Sequence, residues 1–329
     1  MYSFISRHAM TALLAGLAPC LALAQSYPDK LVKVVVPSSP GGGYDTTARA
    51  LTRSLQQQLG KPFIVENKPG AAGTIGAAQV AKSPADGYTL MWTGNGPVTL
   101  SPYLYSNAGY DPSKSFVPIS IGATSSYALV VPAAAKANSV RELLTIGKAK
   151  SGGQSLTYAS NGINSSLHLL GLLLATKEGV EALHVPYKGG ASGVTAVVAG
   201  EVDFTFDAMS TAATLAKGGK LKVLATTGSK RDPAMPDVPT FAELGMPFMT
   251  FDVFYGLLAP AGTPPDVIDT LAGAMKKASA DPDVRTAVAT SGNTAAANSP
   301  QEFKALIDSE AARWKAVLQQ NGIKPSDIK

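Results

Sequence analysis

Residues 34–53 read V-V-V-P-S-S-P-G-G-G-Y-D-T-T-A-R-A-L-T-R, and this stretch decides the fold. Its three consecutive valines are β-branched, which favours a strand that is covered on both faces. Pro37 and Pro40 then interrupt the strand, and Asp45 is a good N-cap for a following helix. Apolar residues recur at helical spacing at Ala48, Leu51, Leu55 and Leu59. The stretch therefore predicts a buried strand, a glycine-rich loop and an amphipathic helix.

The loop of this unit has the chemistry of an anion site. Gly41, Gly42 and Gly43 let the backbone adopt positive φ and approach a ligand closely. The start of a helix offers free N–H groups and the positive end of the helix dipole, and both favour anions. We therefore expect this loop to hold a carboxylate.

The same order of strand, loop and helix recurs along the chain. A second strand at 63–66 leads into a glycine-rich turn at 67–76, and a third strand at 88–93 ends at a flexible loop, 94–97. This repetition predicts a parallel α/β sheet. Because ligands bind beyond the carboxyl ends of the strands in such sheets, three small polar loops should meet at one edge.

The middle of the chain repeats the arrangement. A strand at 156–159, the small polar loop 160–166 and an apolar helix at 167–175 follow one another, and a later strand ends at Asp207. Extended segments are expected at 119–122 and 128–131, with the first crossing between two lobes near 125–127, and a strand at 251–259 is expected to cross back to the first lobe. A capping signal at Ser299 opens a long C-terminal helix. The predicted domains are a signal peptide at 1–24, a first lobe at 25–126 plus 251–329, and a second lobe at 127–250.

Composition points to an exported protein. The N-terminus carries Arg7, an apolar run and the A-x-A site at 22–24, which together predict a cleavable signal peptide and a periplasmic location. The single cysteine, Cys20, lies inside this signal, so the mature chain has none, as suits an oxidising compartment. Removal of Arg7 lowers the formal charge from +5 to +4, and this charge forms no basic stripe for nucleic acid.

Nucleotide binding and catalysis are less favoured by the motifs. Gly41-x-Gly43 mimics a dinucleotide fingerprint, but Thr46 stands at the third glycine position. There is no phosphate-binding G-x-x-x-x-G-K-[ST] motif, no G-x-S-x-G elbow and no mature cysteine. We therefore expect no catalytic residue and no cofactor.

Several polar residues allow two interpretations. His168 and His184 are expected to be structural and make a poor metal site, so no metal is predicted. Asp45 could be a general base, but a helix cap that orders the loop is favoured. Tyr44 either covers the ligand or only shields the loop. Asp207 could orient donors, accept from a ligand ammonium group, or serve as a plain turn former.

Eight motifs together resemble one family. They are V-P-S-S-P-G-G-G-Y-D-T-T-A-R, E-N-K-P-G-A-A-G, P-A-D-G-Y-T-L, Y-D-P-S-K-S-F-V-P-I, H-V-P-Y-K-G-G, G-E-V-D-F, P-D-V-P-T-F-A-E-L-G and L-A-P-A-G-T-P. The chain resembles the Bug family of periplasmic solute receptors that serve tripartite tricarboxylate transporters. The resemblance implies a type II periplasmic binding protein fold of class α/β, with two lobes that each hold a mostly parallel sheet flanked by helices and joined by two crossover segments.

The resemblance also implies where the ligand binds. Family members hold a carboxylate between two loops of the first lobe, which correspond here to 39–45 and 71–74, and the second lobe adds 160–166 and Asp207. The predicted ligand-binding residues are Ser39, Gly42, Gly43, Tyr44, Asp45, Ala72, Gly73, Thr93, Asn95, Ser160, Asn161, Asn164, Ser165, Ser166, Tyr187 and Asp207. Tyr44, Tyr127, Tyr187 and Phe254 could supply flat walls for an aromatic acid. Ser38 and Ser39 depart from the family pattern, and the helix after Ser166 is unusually apolar.

The predicted function is capture of a small carboxylic acid by a monomeric receptor. Neutral N–H groups and hydroxyls hold the acid, since none of the four loops contains an arginine. Ligand contacts from both lobes favour a closed state that a membrane transporter can read. Two alternatives stay open: a receptor that presents its closed form to a sensor kinase ectodomain, and an exported α/β enzyme.

Overall fold

A computed structural model describes residues 27–41, 43–150, 154–163, 165–187 and 190–324. The predicted signal peptide at 1–24 and two predicted site residues, Gly42 and Asn164, lie outside the described residues.

The described residues form α/β units in the predicted order. The strands are β1 Val32–Val36, β2 Phe63–Asn67, β3 Thr89–Gly94, β4 Phe116–Pro132, β5 Leu156–Ser160, β6 Ala182–Pro186, β7 Phe204–Ala208, β8 Leu221–Thr226, β9 Asp252–Pro260 and β10 Thr294–Ala295. The helices are α1 Gly43–Leu59, α2 Thr74–Ala81, α3 Ser101–Leu104, α4 Pro112–Ser115, α5 Val140–Ala149, α6 Ser166–Glu178, α7 Gly190–Ala199, α8 Met209–Lys217, α9 Pro265–Ala280, α10 Pro282–Thr290 and α11 Pro300–Gln320.

The strands make one continuous ladder in the order β2-β1-β3-β9-β4-β7-β5-β6, and β8 and β10 also pair with β4. The first half-sheet contains β1, β2 and β3, which run parallel, and β9, which runs antiparallel to β3. The second half-sheet contains the parallel strands β5, β6 and β7 together with β8. Each half-sheet therefore presents the carboxyl ends of parallel strands along one edge, as the sequence predicts.

One long strand belongs to both half-sheets. The sequence analysis expects two separate extended segments at 119–122 and 128–131, but β4 runs unbroken over 17 residues. Its first part, up to Ser126, pairs with β9, and its last part, from Tyr127, pairs with β7 and β8. The strand stays continuous because a new partner takes over the backbone hydrogen bonds as the old one ends.

The loop predicted after β3 is helical instead. A π-helical turn, Gly96–Leu100, leads directly into α3. The hydroxyl of Thr99 donates to the carbonyl of Asn95 at 2.8 Å, which satisfies an acceptor at the start of this turn. The backbone here is thus more ordered than its two glycines suggest.

The valines of β1 lie in two different cores. Val34, Val35 and Val36 are fully buried, with Val34 and Val36 facing α1 and α9 and Val35 facing the layer that contains Phe254 and Phe303. Successive side chains of a strand point to opposite faces, so both faces of the first half-sheet are covered. The second half-sheet likewise has apolar side chains on both faces.

The last described helix, α11, packs against both halves of the molecule. The predicted capping box is confirmed: Ser299 accepts from the backbone N–H of Glu302, whose carboxylate accepts from the N–H of Ser299. Phe303 lies in a core of the first half-sheet, whereas Trp314 lies in the main core of the second. None of the helices formed by the described residues is both long enough and apolar enough to span a bilayer.

Candidate functional site

Asp45 holds the loop after β1 in place. The prediction that it caps the helix is wrong: α1 already begins at Gly43, so Asp45 lies in its first turn. Its carboxylate is 4% exposed and accepts from the N–H of Gly41 at 2.9 Å and from the amide of Asn67 at 3.0 Å. The same amide of Asn67 also donates to the carbonyl of Ser38 at 3.2 Å. These contacts fix the backbone of the loop, while Ser39 is exposed beside it.

An arginine one turn further on neutralises this carboxylate. Arg49 approaches both oxygens of Asp45, with Nη2 at 2.9 Å and Nε at 3.1 Å. Burial acts to raise the pKa of Asp45, but the hydrogen bonds from Arg49, Gly41 and Asn67 outweigh it and hold the pKa below its usual range. The charges of Asp45 and Arg49 are therefore matched locally, so together they add no net charge beside the loop.

The second loop of this edge has an unusual backbone. Gly70, Ala71, Ala72 and Gly73 all have positive φ, with values of 120°, 46°, 51° and 89°. Left-handed geometry costs an alanine roughly 1–2 kcal/mol, so two in succession mark stored strain. The carbonyl of Ala71 accepts from the Thr74 hydroxyl at 2.8 Å and that of Ala72 from Ser101 at 3.2 Å. Because C=O and N–H point in opposite directions across a trans peptide, the N–H of Ala72 points away from Thr74.

The end of β3 contributes two buried polar side chains. The side-chain amide of Asn95 holds β9: its oxygen accepts from the N–H of Phe254 at 3.0 Å, and its nitrogen donates to the carbonyl of Asp252 at 3.3 Å. The predicted ligand residue Asn95 therefore has a structural task. Thr93 is fully buried, and its hydroxyl has no hydrogen-bond partner among the described residues.

In the second half-sheet, the loop after β5 has hydroxyl groups at both ends. Ser160 is buried, and its hydroxyl lies 2.6 Å from Nε2 of His184. Ser165 caps α6 by accepting from the N–H of His168 at 3.2 Å. Between these ends, Asn161 is exposed. The N–H of Tyr187 donates to the carbonyl of Ser160 at 2.9 Å, so the loop after β6 lies against this one.

Aromatic side chains lie between the strand ends of the first half-sheet and those of the second. Tyr44 packs edge-to-face on Tyr255, with ring centroids 5.2 Å apart, and its hydroxyl accepts from the N–H of Gly96. Burial, together with the nearby Tyr255, Tyr44 and Asp207, raises the pKa of Tyr127 well above its usual range. The hydroxyl of Tyr127 also has Ser166 within hydrogen-bonding reach. Predicted residues from both half-sheets therefore meet around Tyr127.

The structure corrects one of the predicted aromatic walls. Phe254 is 1% exposed and packs edge-to-face on Phe303 at 5.3 Å, inside a core. Its neighbour Tyr255 is half-buried and faces the Tyr44 side. The alternation of side chains along a strand is the signal that could have separated these two residues.

Among the described residues, no lysine or arginine forms an ion pair with the carboxyl of Asp207. Burial raises its pKa to about 6, although the N–H of Ala208 and the hydroxyl of Thr211 donate to it and lower the value in part. Asp207 is 8% exposed and contributes to the raised pKa of Tyr127. It therefore lies near Tyr127, at the junction where the strand ends of the two half-sheets meet. A buried carboxyl of this kind favours a hydrogen-bond donor or its own protonation.

The arrangement is suited to binding. Across the part of the chain that is described, no group of three or more His, Cys, Asp and Glu side chains could hold a metal ion. The charges of Asp45 and Arg49 compensate each other, and the hydroxyl of Ser166 lies within hydrogen-bonding reach of Tyr127. The hydroxyls of Ser160 and Ser165 are bonded within the loop after β5. Neutral, preorganised donors can stabilise a carboxylate without transferring a proton.

Comparison with known proteins shows which family the chain resembles in sequence and structure. The model of the family described as "Tripartite tricarboxylate transporter family receptor" matches residues 47–323. Protein BugT from Bordetella pertussis is 33% identical over 311 residues, which cover 94% of each chain. A solved R. palustris structure with adipate is 31% identical with a TM-score of 0.78, and covers 91% of this chain and 100% of that one. MatC from Rhodopseudomonas palustris with bound malate is 31% identical with a TM-score of 0.73, over 89% and 100%.

Proposed function

The chain belongs to the tripartite tricarboxylate transporter receptor family, and from that premise we propose that it captures a small carboxylic acid between two lobes and delivers it to a membrane transporter. The family is one of periplasmic solute receptors with an α/β periplasmic binding protein fold, and its members are receptors and not enzymes. The capture site proposed here is the junction of the two sheet edges around Tyr127.

The observation that carries the proposal is the backbone run from Gly70 to Gly73. Four successive residues with positive φ, two of them alanines, are held by side-chain bonds to their carbonyls. Strain of this kind persists where surrounding contacts over-determine it, and it is common in ligand sites. The N–H of Gly73 donates to the carbonyl of Gly70 at 2.9 Å. The run therefore supports a nest formed by the N–H groups of Ala71 and Ala72 for one carboxylate, opposite the loop that Asp45 fixes.

The proposed ligand is a small di- or aromatic carboxylate. The solved relatives carry adipate and malate, which are dicarboxylic acids. The tyrosines 44, 127 and 255 supply flat surface beside the proposed site. Asp207 then suits a ligand with a hydroxyl, an ammonium group or a protonated acid at its far end.

The proposed mechanism is closure of two lobes at 25–126 plus 251–329 and at 127–250. In this proposal β4 bends near Tyr127 and the segment that leads into β9 bends near Thr250, because the ligand makes contacts with both lobes only when they approach. The closed monomer then docks on the transporter. Residues 1–24 act as the leader that directs export to the periplasm.

A ligand screen tests the function. Thermal unfolding is followed with malate, succinate, adipate, glutamate, nicotinate and terephthalate at 1 mM, and a positive result is repeated by titration calorimetry. We expect at least one acid to raise Tm by several degrees, because a ligand at about 100 times its Kd stabilises the folded state by about 2.7 kcal/mol. The amide of the same acid is the control and should leave Tm unchanged. Equal shifts with acid and amide, or no shift with any acid, would contradict carboxylate capture.

A further inference from the structure

Two histidines that the sequence analysis treats as structural are stacked on each other. His168 of α6 and His184 of β6 have ring centroids 4.0 Å apart, at an interplanar angle of 29°. Tyr158 of β5 lies beside both, 6.3 Å from His168 and 5.1 Å from His184, and Phe204 of β7 stacks on Tyr158 at 5.3 Å. This ring stack joins α6 to three strands of the second half-sheet.

The histidine pair is connected to both ends of the loop after β5. Nε2 of His184 is 2.6 Å from Oγ of Ser160, and the same Oγ accepts from the N–H of Gly162 at 3.1 Å. At the other end, the N–H of His168 donates to Oγ of Ser165, whose hydroxyl donates to the carbonyl of Gly162 at 2.8 Å. The two connections therefore meet on the peptide groups of Gly162.

The middle of this loop needs such support. Gly162 has φ of 125°, a backbone region that L side chains rarely adopt. Close packing sets the distance between the sheet and the helix that carries His168. A Cβ added at Gly171 of this helix would lie 2.2 Å from the ring of Tyr158. The imidazole of His168 is thus set by packing, and it in turn limits where the ring of His184 can lie.

Both imidazoles are neutral near pH 7. Burial lowers the pKa of His184, and burial together with His184 lowers that of His168 to about 4. Tyr158 is the titratable group that faces both rings from β5. The tautomer of the neutral ring sets the roles: Nε2 either accepts the hydroxyl proton of Ser160, or donates to Ser160 Oγ, whose hydroxyl then donates to the carbonyl of Gly162 at 2.9 Å. In both cases the Ser160 oxygen accepts from the N–H of Gly162.

We propose that His168 and His184 are positioning residues for ligand capture, and that their stacked rings hold loop 160–166 in its ligand-binding shape. His184 acts through the Ser160 hydroxyl, and the imidazole of His168 acts through its stacking on His184, while the backbone N–H of His168 anchors the Ser165 cap. This inference rests on the proposed function, because the loop contacts a carboxylate only if the junction is the capture site.

The test replaces the ring nitrogen while keeping the ring. His184→Phe retains stacking area but loses Nε2, whereas His184→Gln places an amide near the Nε2 position. Affinities of the purified full chain for malate and adipate are measured by calorimetry. For the acid that binds, we expect an approximately 10-fold loss in H184F, in line with one buried hydrogen bond, and a loss below about threefold in H184Q. Thr205→Val is the matched control, because it removes the buried 2.8 Å bond to the carbonyl of Ala159 in the same sheet and leaves the loop untouched.

The outcomes separate the two proposals. Unchanged affinity in H184F, equal losses in H184F and H184Q, or an equal loss in T205V would overturn the positioning role alone. Failure of the unmodified chain to bind any acid of the screen would overturn the proposed function. If H184F does not fold, hydrogen exchange on the unmodified chain decides: protected amides at Gly162 and His168 support the positioning role, and rapid exchange at both overturns it.

Discussion

The loop after β1 and the loop after β5 occupy equivalent places in the two half-sheets, yet different chemistry holds them. The buried carboxylate of Asp45, paired with the half-exposed Arg49, fixes the first. A neutral stack of His168 and His184, with serine hydroxyls, fixes the second. Both loops follow a strand and precede a helix, so the difference lies in side chains and not in topology.

This difference suggests a division of tasks. In the first half-sheet the carboxylate of Asp45 is already saturated by three donors, so it adds little repulsion to a bound acid. In the second half-sheet the loop after β5 adds no charge, and we expect the buried Asp207 to distinguish one ligand from another. We therefore expect changes in the first loop to alter affinity for all acids, and changes near Asp207 to alter which acid is preferred.

The largest effect is expected when the carboxylate of Asp45, which supports the first loop, is removed. Asp45→Ala removes the acceptor for Gly41, Asn67 and Arg49 at once. Because hydrogen bonds to a charged group are worth about 1.5–3 kcal/mol each and the half-exposed Arg49 stays hydrated after the change, we expect urea unfolding to show a loss of about 3 kcal/mol and carboxylate affinity to fall by about 100-fold. The control Asp308→Ala breaks the exposed pair with Lys304 and should cost below about 1 kcal/mol. A D45A chain that binds and unfolds like D308A would remove the first loop from the site.

The next largest effect is expected in the run of residues with positive φ from Gly70 to Gly73. Gly73→Ala forces an alanine to φ of 89° and places its Cβ 2.7 Å from the ring of Pro97 and 3.1 Å from the carbonyl of Pro37. Strain and overpacking together should cost about 3 kcal/mol in the free energy of unfolding. Gly179→Ala is the matched control, since φ is 63° there but nothing lies within 4 Å of the added Cβ, so about 1 kcal/mol is expected. Equal costs in the two variants would show that close packing of this run is unimportant.

The smallest effect is expected at Asp207, the buried acid of the second half-sheet. Burial raises the pKa of Asp207 to about 6, so the folded chain binds a proton there more tightly than the unfolded chain. Stability from this group is complete below about pH 4 and is lost as pH rises through about 6. Asp207→Asn should therefore make the ligand-free chain about 2 kcal/mol more stable than the parent at pH 7 and equal to it at pH 4. Urea unfolding at the two pH values measures this, and a pH-independent difference would contradict the raised pKa.

Much of the architecture could be predicted because local signals agreed with tertiary packing. The buried valines of β1, the helical face at Ala48, Leu51 and Leu55, and the capping box at Ser299 each appear in the structure as expected. In these elements the apolar residues lie where the core covers them, and in α1 they recur with the period of a helix. Their pattern therefore indicates both the type of element and its buried face. The recurring strand–loop–helix order then predicted which strand ends meet at one edge.

Contacts between distant residues could not be predicted in this way. Nothing in the sequence pairs Asp45 with Asn67, or places His184 against Ser160, because register between elements separated by about 20 residues decides these bonds. β4 is continuous because its pairing partner changes near Ser126. The pattern of apolar residues in the sequence does not predict such a change of partner. The ligand-binding residues themselves stay predictions, since their role depends on a molecule that the sequence does not contain.

The position of α11 bears on how the polypeptide is made. The first half-sheet starts with β1, but its strand β9 and the helices that cover it come late in the sequence, and Trp314 of α11 also completes the core of the other half. A nascent chain therefore buries neither core fully until residues near 318 have left the ribosome. Premature termination ahead of α11 would yield a product with two open cores, an obvious substrate for quality-control proteases.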